Sequence, residues 1–196
     1  MANCVDGNIR GLAVDDATGD VYGAGENGVI FVCNGTRSTG NDIPVCAPIM
    51  TNDGFSLYGG LALNPDDRLM YYTRNGPTSS EIVRAGMDGS DPTVLLQAGP
   101  VVLAGMAIDS TRLYYAGYYP GAIWSCDLDG GNCESIGSIS DNPYGLAAFG
   151  DRIYWSDPFV GRLASCSKAG GGDRREEYFN GNYIYHLTIV NRTAMN

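Results

Sequence analysis

The sequence predicts an all-β fold made of four copies of one four-stranded unit, on three observations. Four segments start alike: Gly11-Leu-Ala-Val-Asp15, Gly60-Leu-Ala-Leu-Asn64, Gly105-Met-Ala-Ile-Asp109 and Gly145-Leu-Ala-Ala-Phe149. Each is followed by a polar turn and an aromatic strand: Asp20-Val-Tyr-Gly23, Leu69-Met-Tyr-Tyr-Thr73, Leu113-Tyr-Tyr-Ala116 and Ile153-Tyr-Trp-Ser-Asp157. The composition, 28 glycines and 13 tyrosines with 17% charged residues, suits short strands joined by tight turns.

The remaining elements follow in order. Third strands read Val29-Ile-Phe-Val-Cys33, Glu81-Ile-Val-Arg-Ala85, Ala122-Ile-Trp-Ser-Cys126 and Arg162-Leu-Ala-Ser-Cys166. A fourth strand comes after a Gly-rich turn, as in Met87-Asp-Gly-Ser90 leading to Thr93-Val-Leu-Leu96. The starting glycines lie 49, 45 and 40 residues apart, the period of a β-propeller blade. One such sheet cannot cover both its faces, so blades pack face to face. The small Gly-Leu-Ala start suits an innermost strand, where bulky side chains would collide. A single propeller-type domain over 1–196 is therefore expected, with blades at 11–50, 60–99, 105–139 and 145–182 and a stray inner strand at 187–190.

At these residues the chain resembles the YWTD propeller of the low-density-lipoprotein-receptor family. Tyr154-Trp155-Ser156-Asp157 is similar to the signature tetrapeptide, Gly11–Asp15 to the strand preceding it, and Ile82-Val-Arg-Ala-Gly-Met-Asp-Gly-Ser90 to the third strand and turn. The resemblance implies six blades, so four make an incomplete or unusually small propeller, cut out of phase, with residues 1–8 as the end of an earlier outer strand. It also implies inter-blade hydrogen bonds from the signature Asp. That residue survives only at Asp157, so the resemblance does not carry such bonds over to the other blades.

Six cysteines without a CxxC, and the sequons Asn34-Gly35-Thr36 and Asn191-Arg192-Thr193, point to a secreted or cell-surface protein with possible glycans at Asn34 and Asn191. Met1-Ala-Asn-Cys4 has no basic and apolar leader, so either the chain is given in mature form or the secretion reading fails. Cys33–Cys46 and Cys126–Cys133 are natural hairpin disulfides between adjacent antiparallel strands. In the fourth blade the residue matching Cys133 falls near Asp173, leaving Cys166 and Cys4 without local partners. These two would clasp one chain, join chains head to tail into a filament, or stay separate thiols. The stray strand at 187–190 is a candidate for strand addition to a neighbouring copy.

A net charge of −10 and a pI near 4.3 argue against nucleic acid and anionic membranes as partners. The apolar run Val94–Ile108 is broken by Gln97, Pro100 and two glycines, which excludes membrane insertion. His186 is the single histidine, and no Ser or Cys has an evident base, so no catalytic residue is assigned. Asp127-Leu-Asp129-Gly-Gly-Asn132 lacks the Gly spacing and final Glu of a calcium loop. Asp15, Asn64 and Asp109 end three inner strands, but Phe149 breaks that set, so no metal or cofactor is expected. The run from Gly170 to Glu177 reads as an exposed turn. Tyr118 and Tyr119, beside Pro120-Gly121, are the candidate contact residues. The resulting expectation is an extracellular, non-enzymatic structural or interaction module whose partners are proteins, copies of itself first. The alternatives are a ligand-binding ectodomain fragment of a YWTD receptor and a calcium-dependent propeller hydrolase.

Overall fold

The computed structural model describes residues 8–35, 45–51, 54–55, 57–118, 121–138, 142–179, 181–182, 184 and 187, and every structural statement below concerns these. The expectations for Cys4, Tyr119, His186, Asn191 and the strand beyond Leu187 lie outside them. Sixteen strands form four antiparallel four-stranded sheets, the blades of a β-propeller. The first sheet holds β1 (Ile9–Val14), β2 (Val21–Gly25), β3 (Val29–Cys33) and β4 (Cys46–Thr51); the second β5 (Leu57–Asn64), β6 (Leu69–Asn75), β7 (Ser80–Gly86) and β8 (Thr93–Gln97). The third holds β9 (Leu103–Ile108), β10 (Arg112–Gly117), β11 (Ala122–Asp127) and β12 (Glu134–Ser138); the fourth β13 (Leu146–Phe149), β14 (Arg152–Asp157), β15 (Arg162–Ser167) and β16 (Arg175–Phe179). Strand order within each sheet is the chain order. A 3-10 turn at Gly171–Asp173 precedes β16. The chain divides into two compact units, residues 1–106 and 107–196, the division falling inside β9.

In the first unit the inner strands approach so closely that Cβ atoms do not fit. A Cβ on Gly60 would stand 2.6 Å from the backbone nitrogen of Met106, and one on Gly11 2.7 Å from the carbonyl oxygen of Gly59. The glycines that open the first two repeats are thus a packing requirement. Tyr22, Ile30, Leu61, Met70, Tyr72 and Val83 fill the wedge beyond them. In the second unit Tyr114, Ile123, Leu146, Ile153, Trp155 and Ala164 do the same.

The aromatic position of the second strand is filled differently in each blade, yet the space stays full. Trp155 pairs across the hairpin with Ala164, Tyr72 with Val83, and Tyr115 with Trp124, their rings stacked 5.3 Å apart. In the first blade that position is Gly23, and its partner Phe31 supplies the ring: a Cβ on Gly23 would stand 2.1 Å from the ring tip. A register shift between third and fourth strands recurs at the same place in all four blades, at Ile30/Phe31, Ile82/Val83, Ile123/Trp124 and Leu163/Ala164. Such bulges sharpen the local twist, and no residue pattern in the sequence marks them.

In the second blade, strands of neighbouring blades are joined by hydrogen bonds that do not come from the signature Asp position. In the second blade Asn75, one residue beyond the signature Asp position, donates from Nδ2 to the Leu103 carbonyl at 2.9 Å. Its Oδ1 accepts from the Leu103 N–H at 2.7 Å. Thr73 Oγ1 accepts from the Gly60 N–H at 2.7 Å and donates to the Ala104 carbonyl at 3.4 Å. An amide carries both a donor and an acceptor, so it matches a strand backbone that a carboxylate would meet with only half its groups.

Disulfides join Cys33 to Cys46, which are register partners, and Cys126 to Cys133, which sits just before β12. Cys166 is a free thiol at 1% exposure, packed against the core of the second unit. Continuing the β15–β16 register beyond the Ser165–Arg175 pair puts Arg174 where the third blade has Cys133.

Removing Cys33–Cys46 by paired alanine substitution is expected to cost about 3 kcal/mol, and removing Cys126–Cys133 somewhat less, because its loop is shorter. Urea denaturation of the two variants against the parent measures that order. Asn75→Ala strands two buried backbone groups of Leu103 and is expected to cost about 2–4 kcal/mol by the same assay. Asn75→Asp is expected to be no better, since a carboxylate oxygen then faces the Leu103 carbonyl.

Candidate functional site

The carboxylates that end inner strands are engaged by cations and turn amides. Asp15 is 1% exposed; its Oδ1 accepts from the Ala17 N–H at 3.0 Å and its Oδ2 faces Arg68 at 3.4 Å. Asp109 Oδ2 accepts from Lys168 Nζ at 2.7 Å and from the Tyr114 hydroxyl at 2.9 Å. Its Oδ1 takes the N–H groups of Thr111 and Arg112 at 3.0 and 2.9 Å. Lys168 also lies over the Tyr114 ring, 5.4 Å from its centroid. Burial pushes the Asp109 carboxyl up, but the bonds from Lys168, Thr111, Tyr114 and Arg112 outweigh it and hold the group well below the usual carboxylate range. Burial and the bond to Asp109 raise the Tyr114 phenol, while burial alone pushes Tyr115 up to about 12.

Asn64 donates to Asp67, and Phe149, 53% exposed, offers no ligand atom. Among the described residues no group of three or more His, Cys, Asp or Glu is placed to hold a metal ion. Asp127 is taken up by Asn132 and Arg112 at 2.6 Å each, and Asp129 Oδ1 accepts from the Gly131 N–H. In the second unit Arg112 and Arg152, both opening second strands, reach across their sheets alike. Each donates from Nε to a serine hydroxyl (Ser125 or Ser165) and from Nη1 to an aspartate (Asp127 or Asp173) at 2.6 Å. These arginines tie strands together and present nothing to a ligand.

The second unit also carries an aromatic cluster that reaches the surface. Tyr118, just past β10, meets Tyr144 edge-on at 6.2 Å and 88°, and Phe159 at 5.7 Å and 49°. Phe159 is 58% exposed, with Val160 exposed beside it. The surface is held by the signature residues of the fourth blade. Asp157, buried at 3%, accepts the Asn142 N–H at Oδ2, 3.1 Å, and the Phe159 N–H at Oδ1, 3.0 Å. Ser156 Oγ accepts from the Gly145 N–H at 3.0 Å, and the Ser156 carbonyl accepts from the Tyr144 N–H at 2.9 Å. The Ser-Asp pair thus pins two loops, one carrying Tyr144 and the other Phe159.

Of the residues singled out in the sequence, Tyr118 is brought into this cluster, Tyr114 and Tyr115 lie in the core, and Asn34 is exposed directly after Cys33. Tyr144 and Phe159 were not singled out. Their signal was present: each lies within two residues of Asn142 or Asp157, the ends of the loop-pinning bond. Other outward apolar residues are Ile9, Leu12 and Val14 on β1, and Tyr178 and Phe179 on β16.

No protein-family model matches the chain. It is similar to the vitellogenin receptor of Solenopsis invicta, 29% identical over 183 residues, which is 91% of this chain and 10% of that protein. It is 32% identical over 117 residues to low-density lipoprotein receptor-related protein 5 of Mus musculus, 58% of this chain and 7% of that protein. The chain therefore spans a small fraction of the length of these relatives. Among solved structures, one of a nidogen/laminin complex superposes with a TM-score of 0.79 at 24% identity, covering 94% of this chain and 69% of that one. The structural likeness is one of fold, and the repeats resemble YWTD propeller repeats of the low-density-lipoprotein-receptor family.

A carboxyl held below its unfolded value stabilises the fold above that unfolded value, and the contribution vanishes as pH falls through the folded one. Asp109→Asn is therefore expected to lower the melting temperature at neutral pH. The gap to the parent should persist down to the ordinary carboxylate range and close only in stronger acid. Thermal unfolding of both proteins across that range checks it, and a gap independent of pH would refute the charge assignment.

Proposed function

We propose that this chain is an extracellular, non-enzymatic interaction module that meets protein partners, copies of itself included, through the Tyr118–Tyr144–Phe159 surface. The observation that carries this reading is Phe159, a large aromatic side chain 58% exposed on a loop that buried Asp157 holds in place. A fixed, exposed aromatic loses little conformational freedom on docking, which is why such residues dominate interface energies. The receptor relatives support the same reading. So does the commitment of Asp15 and Asp109 to Arg68 and Lys168, which leaves a calcium-dependent hydrolase without its ligand set.

Head-to-tail assembly enters this proposal as a non-covalent contact. Cys166 is too deeply buried to reach a second chain without local opening, and burial raises its thiol pKa, which lowers its reactivity. A second reading, a ligand-binding propeller within a longer receptor, is favoured by the alignment over 91% of this chain to a receptor of which it spans 10%.

Sedimentation velocity from nanomolar to high micromolar concentration tests self-association, with negative-stain imaging of the same samples. Growth with concentration, unchanged by reductant and weakened about tenfold by Phe159→Ala, is the expected outcome. A monomer at every concentration would redirect the surface to a different protein.

A further inference from the structure

The sequon Asn34-Gly35-Thr36 is not part of the aromatic surface, and the first unit holds its asparagine in a defined place. Asn34 directly follows the last residue of β3 and is exposed. Its N–H donates to the Val45 carbonyl at 3.2 Å, which carries the β3–β4 ladder one pair beyond Cys33–Cys46. The backbone is fixed on its other side as well. The Gly35 N–H donates to Asp20 Oδ1 at 2.8 Å, and a Cβ on Gly35 would stand 1.8 Å from the Gly19 carbonyl oxygen. The asparagine thus stays exposed on a backbone that is held from both sides.

The side-chain amide of Asn34 is uncommitted. Asn8, Asn64, Asn75 and Asn132 each spend their side-chain nitrogen on a hydrogen bond within the chain, whereas Asn34 makes none among the described residues. A second observation lies across the hairpin. Val45 is 72% exposed, more than any other large apolar side chain among the described residues. A lone exposed valine needs no explanation; its position is what matters. Directly opposite residues of an antiparallel pair share a face, with Cβ atoms about 5 Å apart. The first sugar attached to Asn34 would therefore lie against Val45, and its apolar ring face would take the valine out of water.

We propose that Asn34 carries an N-linked oligosaccharide whose first N-acetylglucosamine covers Val45. In that modification Asn34 Nδ2 bonds to C1 of the sugar as the C1–O bond to a polyprenyl diphosphate donor breaks. The nitrogen loses one proton and the diphosphate leaves. The inference rests on the extracellular reading, because this chemistry acts on chains that enter the secretory compartment. The test is expression behind a secretory signal peptide in animal cells, with peptide mass spectrometry of the exported protein and of the pool inside the cell. Expected is an occupied Asn34, lost in Asn34→Gln and Thr36→Ala and kept in Thr36→Ser. An empty Asn34 in both pools overturns the site. Failure of export with Asn34 occupied supports the site and counts against the extracellular reading, so the two fail separately. The contact with Val45 is read on protein trimmed to a single N-acetylglucosamine. Expected are NOEs from the sugar to the Val45 methyl groups and a melting temperature about 2 °C above that of Thr36→Ala, a gap that Val45→Ser removes. No gap, or one that survives Val45→Ser, overturns the covering role. Should Val45→Ser fail to fold, the NOEs decide: their presence supports the contact and their absence overturns it.

Discussion

At Gly60 two strands of neighbouring blades come so near that a single added carbon would stand 2.6 Å from a backbone nitrogen. That approach makes the rest of the first unit possible. Only at this separation does Thr73 touch both its own inner strand and the next, and only here can Asn75 hold both polar groups of Leu103. Hydrogen bonds of this kind add modestly to net stability, about 1 kcal/mol each. Leaving the same buried groups unpaired is dearer, so they act chiefly as a penalty on any other register.

The wedge beyond the inner strands obeys a volume rule more than an identity rule. Trp155 over Ala164, Tyr72 over Val83 and Phe31 over Gly23 put one large ring into each of three hairpins, from either strand. Protein interiors tolerate exchanges that conserve volume far better than ones that leave a void. The first blade therefore lost its signature aromatic without losing its packing. Polar positions are less forgiving: Ser156 stands for Thr73 because both present a hydroxyl to the N–H of the opening glycine, whereas Ala24 and Ala116 present none.

These two rules explain what was legible in the residues. The glycine starts and aromatic strands recur once per blade, and at Gly11 and Gly60 packing demands the glycine, so the four blades could be read directly. Cys33–Cys46 was visible because a hairpin makes its ends neighbours. Asn75 was not, because its function depends on Leu103, 28 residues on, whose approach no local pattern records. The bulges shared by all four blades were invisible for a similar reason, since they lie in backbone pairing and not in side-chain type. Tyr118 could be suspected from its turn, but its neighbours Tyr144 and Phe159 come from two other loops.

Asp157 shows how one residue links the architecture to the surface. In the second blade the corresponding task of tying strands falls to Asn75, which leaves the Asp position to Arg74, paired with Glu81. In the fourth blade the carboxylate has no strand backbone to satisfy, and both its oxygens accept from loop amides. A carboxylate is suited to that role, since it accepts at both oxygens and donates at neither. Two backbone donors converge on Asp157, and each arrives at the root of an aromatic loop. The same tetrapeptide that marks the repeat in sequence thereby fixes the position of its most exposed aromatic side chain. An asparagine there would keep one loop and turn a donor toward the other.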